Sequence, residues 1–347
     1  MSMASAKIRF RDAQIEMAHG AGGKASRRLV EGLFAPLLLD ASHQLALADA
    51  AFLRIDGSQI AITADSFVVK PLRFPGGSIG ELAVNGTVND LAVSGAVAQS
   101  LVVTYVLEAG LPTEILEAEV RAMAQAAQKA NVSIVGGDTK VVEHGKADRM
   151  YITTAGIGQP ISGLALSPGS VRPGDKVLLS GPVGDHGITI LLARGELDLE
   201  AEICSDTRSV LPFIQAMTRV AGAGIRWMRD PTRGGVATSL NELARDCDLC
   251  VMVFEERVPI HDGVRGACEL LGLDPLHIAN EGQFLAIVDS AFADAALQAV
   301  QQTQGGEESA IIGEVREQPA ATVLGATGYG GTRVIDMLVG DPLPRIC

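Results

Sequence analysis

One interruption in the pattern of this sequence constrains its architecture more than any other feature. Around residues 160–175 the run QPISGLALSPGSVRPGDK, rich in Gly, Pro and Ser, breaks a chain that alternates strand-like and helix-like segments on either side. Before the break, IAITAD (60–65), LVVTYVL (101–107), VSIV (132–135) and 150–157 read as strands. Leu82, Val88 and Leu91, and then Ile115, Leu116, Val120 and Met123, recur at helical spacing and predict helices over 80–95 and 114–130. After the break the pattern predicts strands near 176–180, 225–228, 249–254, 284–288, 310–315 and 333–338. Helices fit 186–194, 206–221, 235–246, 261–271 and 291–302. The chain is therefore expected to be α/β (α+β), with domains at 1–165 and 166–332, then a last strand and tail at 333–347.

Composition narrows the functional classes. At 347 residues, with 47% hydrophobic and 20% charged side chains, each half can bury its own core. Net charge is −13 and no basic run occurs, which argues against nucleic acid as a partner. No apolar run approaches the roughly 20 residues that span a bilayer. The start, MSMASAKIRFRD, lacks the apolar region of a signal peptide, so a soluble, cytoplasmic protein with no membrane partner is expected. Five cysteines, Cys204, Cys247, Cys250, Cys268 and Cys347, do not suggest a disulfide framework in a chain of this size.

Several carboxylates stand where a solvated surface charge is not expected. Asp65 closes an apolar strand, Asp90 lies in NGTVNDLAVSG, and Asp138 follows a strand through two glycines. Asp49 sits in ALADAAF and Asp230 in WMRDPTRGG. A buried carboxylate is costly unless paired or metal-bound, and a set of them from separate segments suits Mg²⁺ bridging to phosphates. The run His19-Gly20-Ala21-Gly22-Gly23-Lys24 precedes a helix and could cradle phosphate on backbone amides, although it is not a P-loop, having Ala18 and Ala25 where that motif needs Gly and Ser or Thr. A plain turn is the alternative. Gly136-Gly137-Asp138-Thr139-Lys140 is expected to gather a carboxylate, a hydroxyl and an ammonium within one turn. Gly325, Gly328, Gly330 and Gly331 read as turns between late strands.

The cysteines divide into two kinds. Cys247 and Cys250 form a C-x-x-C pair, which suggests either half a zinc site or a redox dithiol, but no second pair exists and Cys250 enters an apolar strand. Cys347 is the last residue, behind Pro342 and Pro344, which favour an extended, semi-rigid, mobile arm. A thiol at the tip of such an arm can carry a covalently attached group between sites.

The ending PRIC (344–347), with HGAGGK (19–24), TADSFVV (63–69), NGTVNDLAVSGA (85–96), GGDTKVV (136–142), RDPTRGG (229–235) and NEGQF (280–284), resembles the HypE family of hydrogenase maturation proteins over essentially the whole chain. The internal motifs are shared with a wider ATP-using superfamily of aminoimidazole ribonucleotide synthetase, selenophosphate synthetase and thiamine-monophosphate kinase. The resemblance implies a two-domain PurM-like fold, with N-terminal domains pairing as a homodimer around a β-barrel that carries ATP at its rim. It implies that Asp49, Asp65, Asp90 and Asp230 hold Mg²⁺ and the phosphates. Gly22, Gly23, Lys24, Asn89, Gly136, Gly137, Asp138, Thr139 and Arg233 are implied to lie at the nucleotide. The carbamoyltransferase HypF is the implied donor to Cys347, and a HypC–HypD scaffold the implied acceptor of cyanide.

The implied reaction is ATP-dependent dehydration of an S-carbamoyl group on Cys347 to a thiocyanate. Lys140 is expected to stabilise charge on the phosphoryl group, and Glu281 in Asn280-Glu281-Gly282 to remove nitrogen-bound protons. Two other readings remain: a synthetase or kinase of the same superfamily, and a metal-transfer scaffold using Cys247 and Cys250.

Overall fold

The computed structural model describes residues 10–39, 48–195, 201–340, 343 and 345–347. The chain opens with α1 (Lys24–Leu29) and α2 (Ala35–Leu38), joined by a π-turn over Val30–Phe34. Strands β1 (Ala51–Ile55) and β2 (Ser58–Phe67) form a hairpin, and β3 (Arg73–Phe74) with β4 (Gly77–Ser78) a smaller one. Then follow α3 (Ile79–Val93), β5 (Ala96–Glu108), α4 (Thr113–Lys129), β6 (Ser133–Val142) and β7 (Met150–Pro160). The first sheet runs β1-β2-β7-β5-β6, and only β5 and β6 are parallel. A parallel pair needs a crossover, which α4 supplies.

This sheet has two unlike faces. Side chains of a strand alternate across it, and α3 and α4 cover the face that carries Leu101, Val103, Ile152 and Thr154. The other face is open. Val102 and Ile157 are both 43% exposed there, and the edge strand β6 shows Val135 at 65% and Val141 at 67%. The strand expected at 132–135 thus continues to Val142 rather than turning at Gly136-Gly137. A Cβ on Gly137 would lie 1.8 Å from the Val103 carbonyl oxygen, so glycine here permits close pairing of β6 to β5 and does not make a turn.

The second domain comprises β8 (Lys176–Leu179), α5 (Asp185–Ala193), α6 (Leu211–Ala221), β9 (Ile225–Arg229), α7 (Gly235–Cys247) and β10 (Cys250–Phe254). It continues through α8 (Asp262–Leu271), β11 (Leu285–Val288), α9 (Ala293–Gln301), β12 (Ala310–Arg316), β13 (Thr322–Ala326) and β14 (Thr332–Val334). Its sheet runs β14-β13-β10-β12-β8-β11-β9. Val177, Leu179 and Ile287 pack with α7, while Leu178, Ala286 and Val288 pack with α6 and α9. Ala92 and Val93 of α3 enter that second core, and Ile188 and Ile190 of α5 enter the core of the first domain, so the two units share apolar contacts.

Three boundaries differ from expectation. The helix expected from 206 begins at Leu211, because Pro212 favours a helix start and residues before it turn their polar groups to other partners. The last strand covers Thr332–Val334 and stops short of 338. Gly325 lies inside β13, paired with Arg333, while Gly328 and Gly330 form the turn beyond. The first sheet ends at Pro160 and the second begins at Lys176, on either side of the Gly/Pro/Ser-rich run. No described helix is long and apolar enough to cross a membrane.

Candidate active site

Three carboxylates from distant segments converge between the domains. Asp49 precedes β1, Asp90 lies on α3 and Asp230 follows β9, and a carboxylate oxygen of each lies within 4.8 Å of the others. Thr63 of β2 links two of these segments, its Oγ1 lying 3.0 Å from Asp90 Oδ2 and 2.6 Å from the Asp49 carbonyl oxygen. Asp65 lies two residues further along the same face of β2. Burial, followed by mutual repulsion, holds the Asp90 carboxyl well above the usual range. Asp230 is pushed up to about 8 by burial and by Asp49, against the pull of Arg229. Arg229 offsets only part of this charge, since it binds Asp49 at 3.0 Å and Glu242 at 2.7 Å. A buried surplus of carboxylate oxygens is the donor set that a hard divalent cation neutralises, so these residues fit Mg²⁺.

Glu281 stands beside this cluster. It is buried, its Oε1 has no hydrogen-bond partner among the described residues, and burial and then Asp230, Asp206 and Asp65 raise its pKa well above that of a free glutamate. Its backbone is tightly held. Asp206 accepts from the N–H of Glu281 at 3.0 Å and of Gly282 at 3.2 Å, and Arg208 donates to the Gly282 carbonyl at 2.9 Å. Asn280, fully buried, bonds Gly184 N and the carbonyls of Pro231 and Ile278. None of Asp206, Arg208 or Asn280 was expected at the site.

The tail is docked in this structure. Pro342 and Pro344 lie outside the described residues, but Leu343 and Ile346 are buried in the first domain's core and Cys347 packs against it. The N–H of Val68 donates to Cys347 O at 3.0 Å and that of Lys70 to Arg345 O at 3.4 Å, an antiparallel, strand-like pairing. His186 Nε2 bonds the Ile346 carbonyl at 2.7 Å, Arg194 donates to the Arg345 carbonyl at 2.9 Å, and the Arg345 guanidinium pairs with Asp148. Burial of two apolar side chains and four carbonyl contacts seats the tail against the protein. Arg233 faces this end of the chain: Cys347 chiefly, then Asp65, Glu281 and Asp90, stabilise its positive charge.

Other expected residues are placed differently. The Gly22 Cα lies against Arg233, where a Cβ would come within 2.6 Å of the Arg233 Cβ. The amides meant to cradle phosphate are taken, however. Lys24 N and Ala25 N donate to the Leu338 and Val339 carbonyls, Gly22 N bonds Ser26 Oγ, and the Lys24 ammonium pairs with Asp336 at 2.6 Å. Gly23 is pressed against Leu338, which explains glycine there by close approach. The Asn89 amide is spent on the carbonyls of Arg208 and Glu281 and on Val210 N, so it braces the Glu281 turn. Asp65 pairs through Thr154 and Val103 to Gly137, three strand spacings or about 14 Å across the sheet. Gly136, Asp138 and Lys140 alternate onto the opposite, open face, where Asp138 and Lys140 pair with each other. Thr139 returns to the helix-covered face, beside a groove of about 570 Å³ between β6 and α4 that Gly136, Gly137 and Asp138 also line. Within one chain these residues do not reach the acid cluster. Cys250 is buried in β10, and burial raises the thiols of Cys247 and Cys250, as befits a structural role.

The comparisons agree with this architecture. Residues 47–159 match the model of the AIR synthase related protein N-terminal domain, and residues 172–325 that of its C-terminal domain. The chain is 44% identical to carbamoyl dehydratase HypE of Bradyrhizobium diazoefficiens and 45% identical to that of Azotobacter vinelandii. These alignments cover 98% of this chain and 98% and 99% of the relatives. Among solved structures, a HypE–HypF complex matches with a TM-score of 0.84 at 42% identity, over 89% of this chain and 99% of that one. A HypE in complex with ATP matches with a TM-score of 0.80 at 43% identity, over 96% and 100%. Two PurM-like domains, near-full-length identity above 40% and a seated terminal cysteine converge on one conclusion: the chain belongs to the HypE carbamoyl dehydratase family.

Proposed function

We propose that this chain dehydrates an S-carbamoyl group on its own Cys347 to a thiocyanate, consuming ATP and supplying a cyanide ligand for the iron of a [NiFe]-hydrogenase. The observation that supports the reading is the docked tail, with Cys347 O accepting from Val68 N and the Ile346 carbonyl held by His186, and with Cys347 contributing most to the stabilisation of the Arg233 charge. The similar structures in complex with ATP and with HypF support ATP as co-substrate and HypF as the carbamoyl donor. A HypC–HypD scaffold would accept the cyanide.

The chemistry needs two activations. The oxygen of S–C(=O)–NH₂ leaves poorly as hydroxide. Its attack on the γ-phosphorus of ATP releases ADP and gives S–C(OPO₃)=NH after loss of one proton. Loss of the second nitrogen-bound proton expels phosphate and leaves S–C≡N. Glu281 is the proton acceptor: its raised pKa makes it a stronger base than a surface carboxylate, and its Oε1 has no competing partner among the described residues. Arg233 steadies the terminal residue and the developing anionic charge. Asp49, Asp90 and Asp230, with Asp65 behind them, would hold Mg²⁺, which supplies charge neutralisation of the phosphates.

The open face of the first sheet and its strand β6, an edge among the described residues, suit a second copy of this chain. Four exposed aliphatic residues, Val102, Val135, Val141 and Ile157, are a poor match for water, and an edge strand invites pairing. In a homodimer closed through these strands, Lys140 and Asp138 would act at the partner's nucleotide.

Intact-mass spectrometry tests the reading. After incubation with the carbamoyltransferase, carbamoyl phosphate and Mg-ATP, Cys347 is expected to gain a carbamoyl group that loses the mass of one water only with ATP. Cys347→Ala is expected to gain nothing, and Glu281→Gln to keep the adduct without losing water. ATP turnover on a free small molecule, with no adduct, would move the chain to the synthetase or kinase branch.

A further inference from the structure

The seat of the tail and the brace of Glu281 are the same loop. His186, fully buried on α5, uses both ring nitrogens: Nε2 lies 2.7 Å from the Ile346 carbonyl oxygen and Nδ1 2.7 Å from Ser205 Oγ. A carbonyl only accepts, so Nε2 carries the hydrogen and Nδ1 accepts from the Ser205 hydroxyl. That hydroxyl in turn accepts the Thr207 N–H at 3.2 Å, and Ser205 N is tied to the Pro75 carbonyl. Phe74 meets the imidazole edge-on, with centroids 5.6 Å apart, and fixes the ring plane. The next residue, Asp206, grips the amides of Glu281 and Gly282. Ile346 is thus joined to Glu281 through His186, Ser205 and Asp206, by hydrogen bonds and one peptide link.

We propose that His186 is a positioning residue: through the Ile346 carbonyl and the 205–206 loop it registers Cys347 against Glu281. The proposal rests on the dehydration reading and adds a division of labour to it. Cys347 is half-buried in its seat, so loading by another protein requires the tail to leave. The latch therefore opposes loading and favours dehydration. Release of the latch frees Cys347 alone, whereas a loss of fold would expose the buried thiols of Cys250 and Cys268 to alkylation as well.

The test follows the two steps separately in the full-length protein. In His186→Ala, alkylation of Cys347 by N-ethylmaleimide is expected to quicken about tenfold or more, because a buried carbonyl has lost its donor. It is read on the C-terminal peptide by mass spectrometry because Cys204 is exposed as well. ATP-dependent loss of water from preloaded Cys347 is expected to slow by about tenfold or more, as misplacement of reacting groups does. His186→Gln, whose amide can donate at similar reach, is expected to return both rates toward wild type. Arg194→Met, at a half-buried position, should shift both in the same sense as His186→Ala with less risk to the fold. Wild-type alkylation rates in both His186→Ala and Arg194→Met would overturn the latch, as would slower dehydration that His186→Gln does not relieve. Should the wild-type chain fail to carry or dehydrate a carbamoyl group, the alkylation arm still judges the latch, and only the functional reading falls.

Discussion

Asp230 concentrates the electrostatics of the site, and its titration has a sign that can be worked out. Its carboxyl is pushed from 3.8 up to about 8 in the folded protein, so the folded state holds a proton that the unfolded chain has released over that interval. The associated stabilisation is complete below the unfolded value and is lost as pH rises through about 8. The metal-free protein is therefore expected to melt at a lower temperature at pH 8.5 than at pH 6. Asp230→Asn should flatten that slope and be more stable than wild type at pH 8.5 by about 1–3 kcal/mol, an uncompensated buried charge having been removed. Mg²⁺ should stabilise the wild type more than the variant. Calorimetry at the two pH values decides it, and identical slopes would place the titration on other groups. Asp49, Asp90 and Asp230 were legible in the sequence because each carboxylate sits in an apolar or glycine-bracketed run. The brace around Glu281 was not, since Asn89 meets the Arg208 and Glu281 carbonyls across separations of 119 and 192 residues. No local pattern records such a meeting.

Strand β6 raises the question of which chain its residues serve. Lys140 and Asp138 share the open face with exposed Val102, while Asp65 and Thr63 share the helix-covered face with Thr154. If Lys140 completes the site of a second copy, two inactive variants should rescue each other. Mixing Lys140→Ala with Asp90→Asn and allowing subunits to exchange should restore about a quarter of wild-type turnover, because half of a random mixture is heterodimer and each heterodimer keeps one intact site. No recovery above the separate variants would confine Lys140 to its own chain. Periodicity located β2, α3, α4 and β7 to within a few residues. It failed where glycine carries close packing in place of a turn, at Gly137 in β6 and at Gly325 in β13. It also placed the start of α6 five residues early, where Val210 N bonds the Asn89 side chain.

At the scale of the whole molecule, the domains are held together by shared cores, and the chain's end is packed into one of them. Leu343 and Ile346 contribute to the same apolar cluster as Ile188, Ile190 and Ile278. The two-domain α/β plan could be read from the Gly/Pro/Ser-rich break, whereas the seat could not, because a run with two prolines and few apolar residues reads as an exposed arm. A seat that grips main-chain carbonyls has a kinetic consequence. Enzyme and substrate are one covalent unit, so dehydration of the loaded cysteine is first order and its rate should not change on dilution, whereas loading by a separate protein should slow in proportion. Cutting the covalent link turns the same groove into an ordinary binding site. A chain ending at Gly340, given a synthetic peptide DPLPRIC carrying the carbamoyl group, should process it in a saturable, second-order reaction. The first-order rate of the intact chain divided by the second-order rate constant for the peptide then gives the effective concentration of the tether, about millimolar for a short linker of this kind.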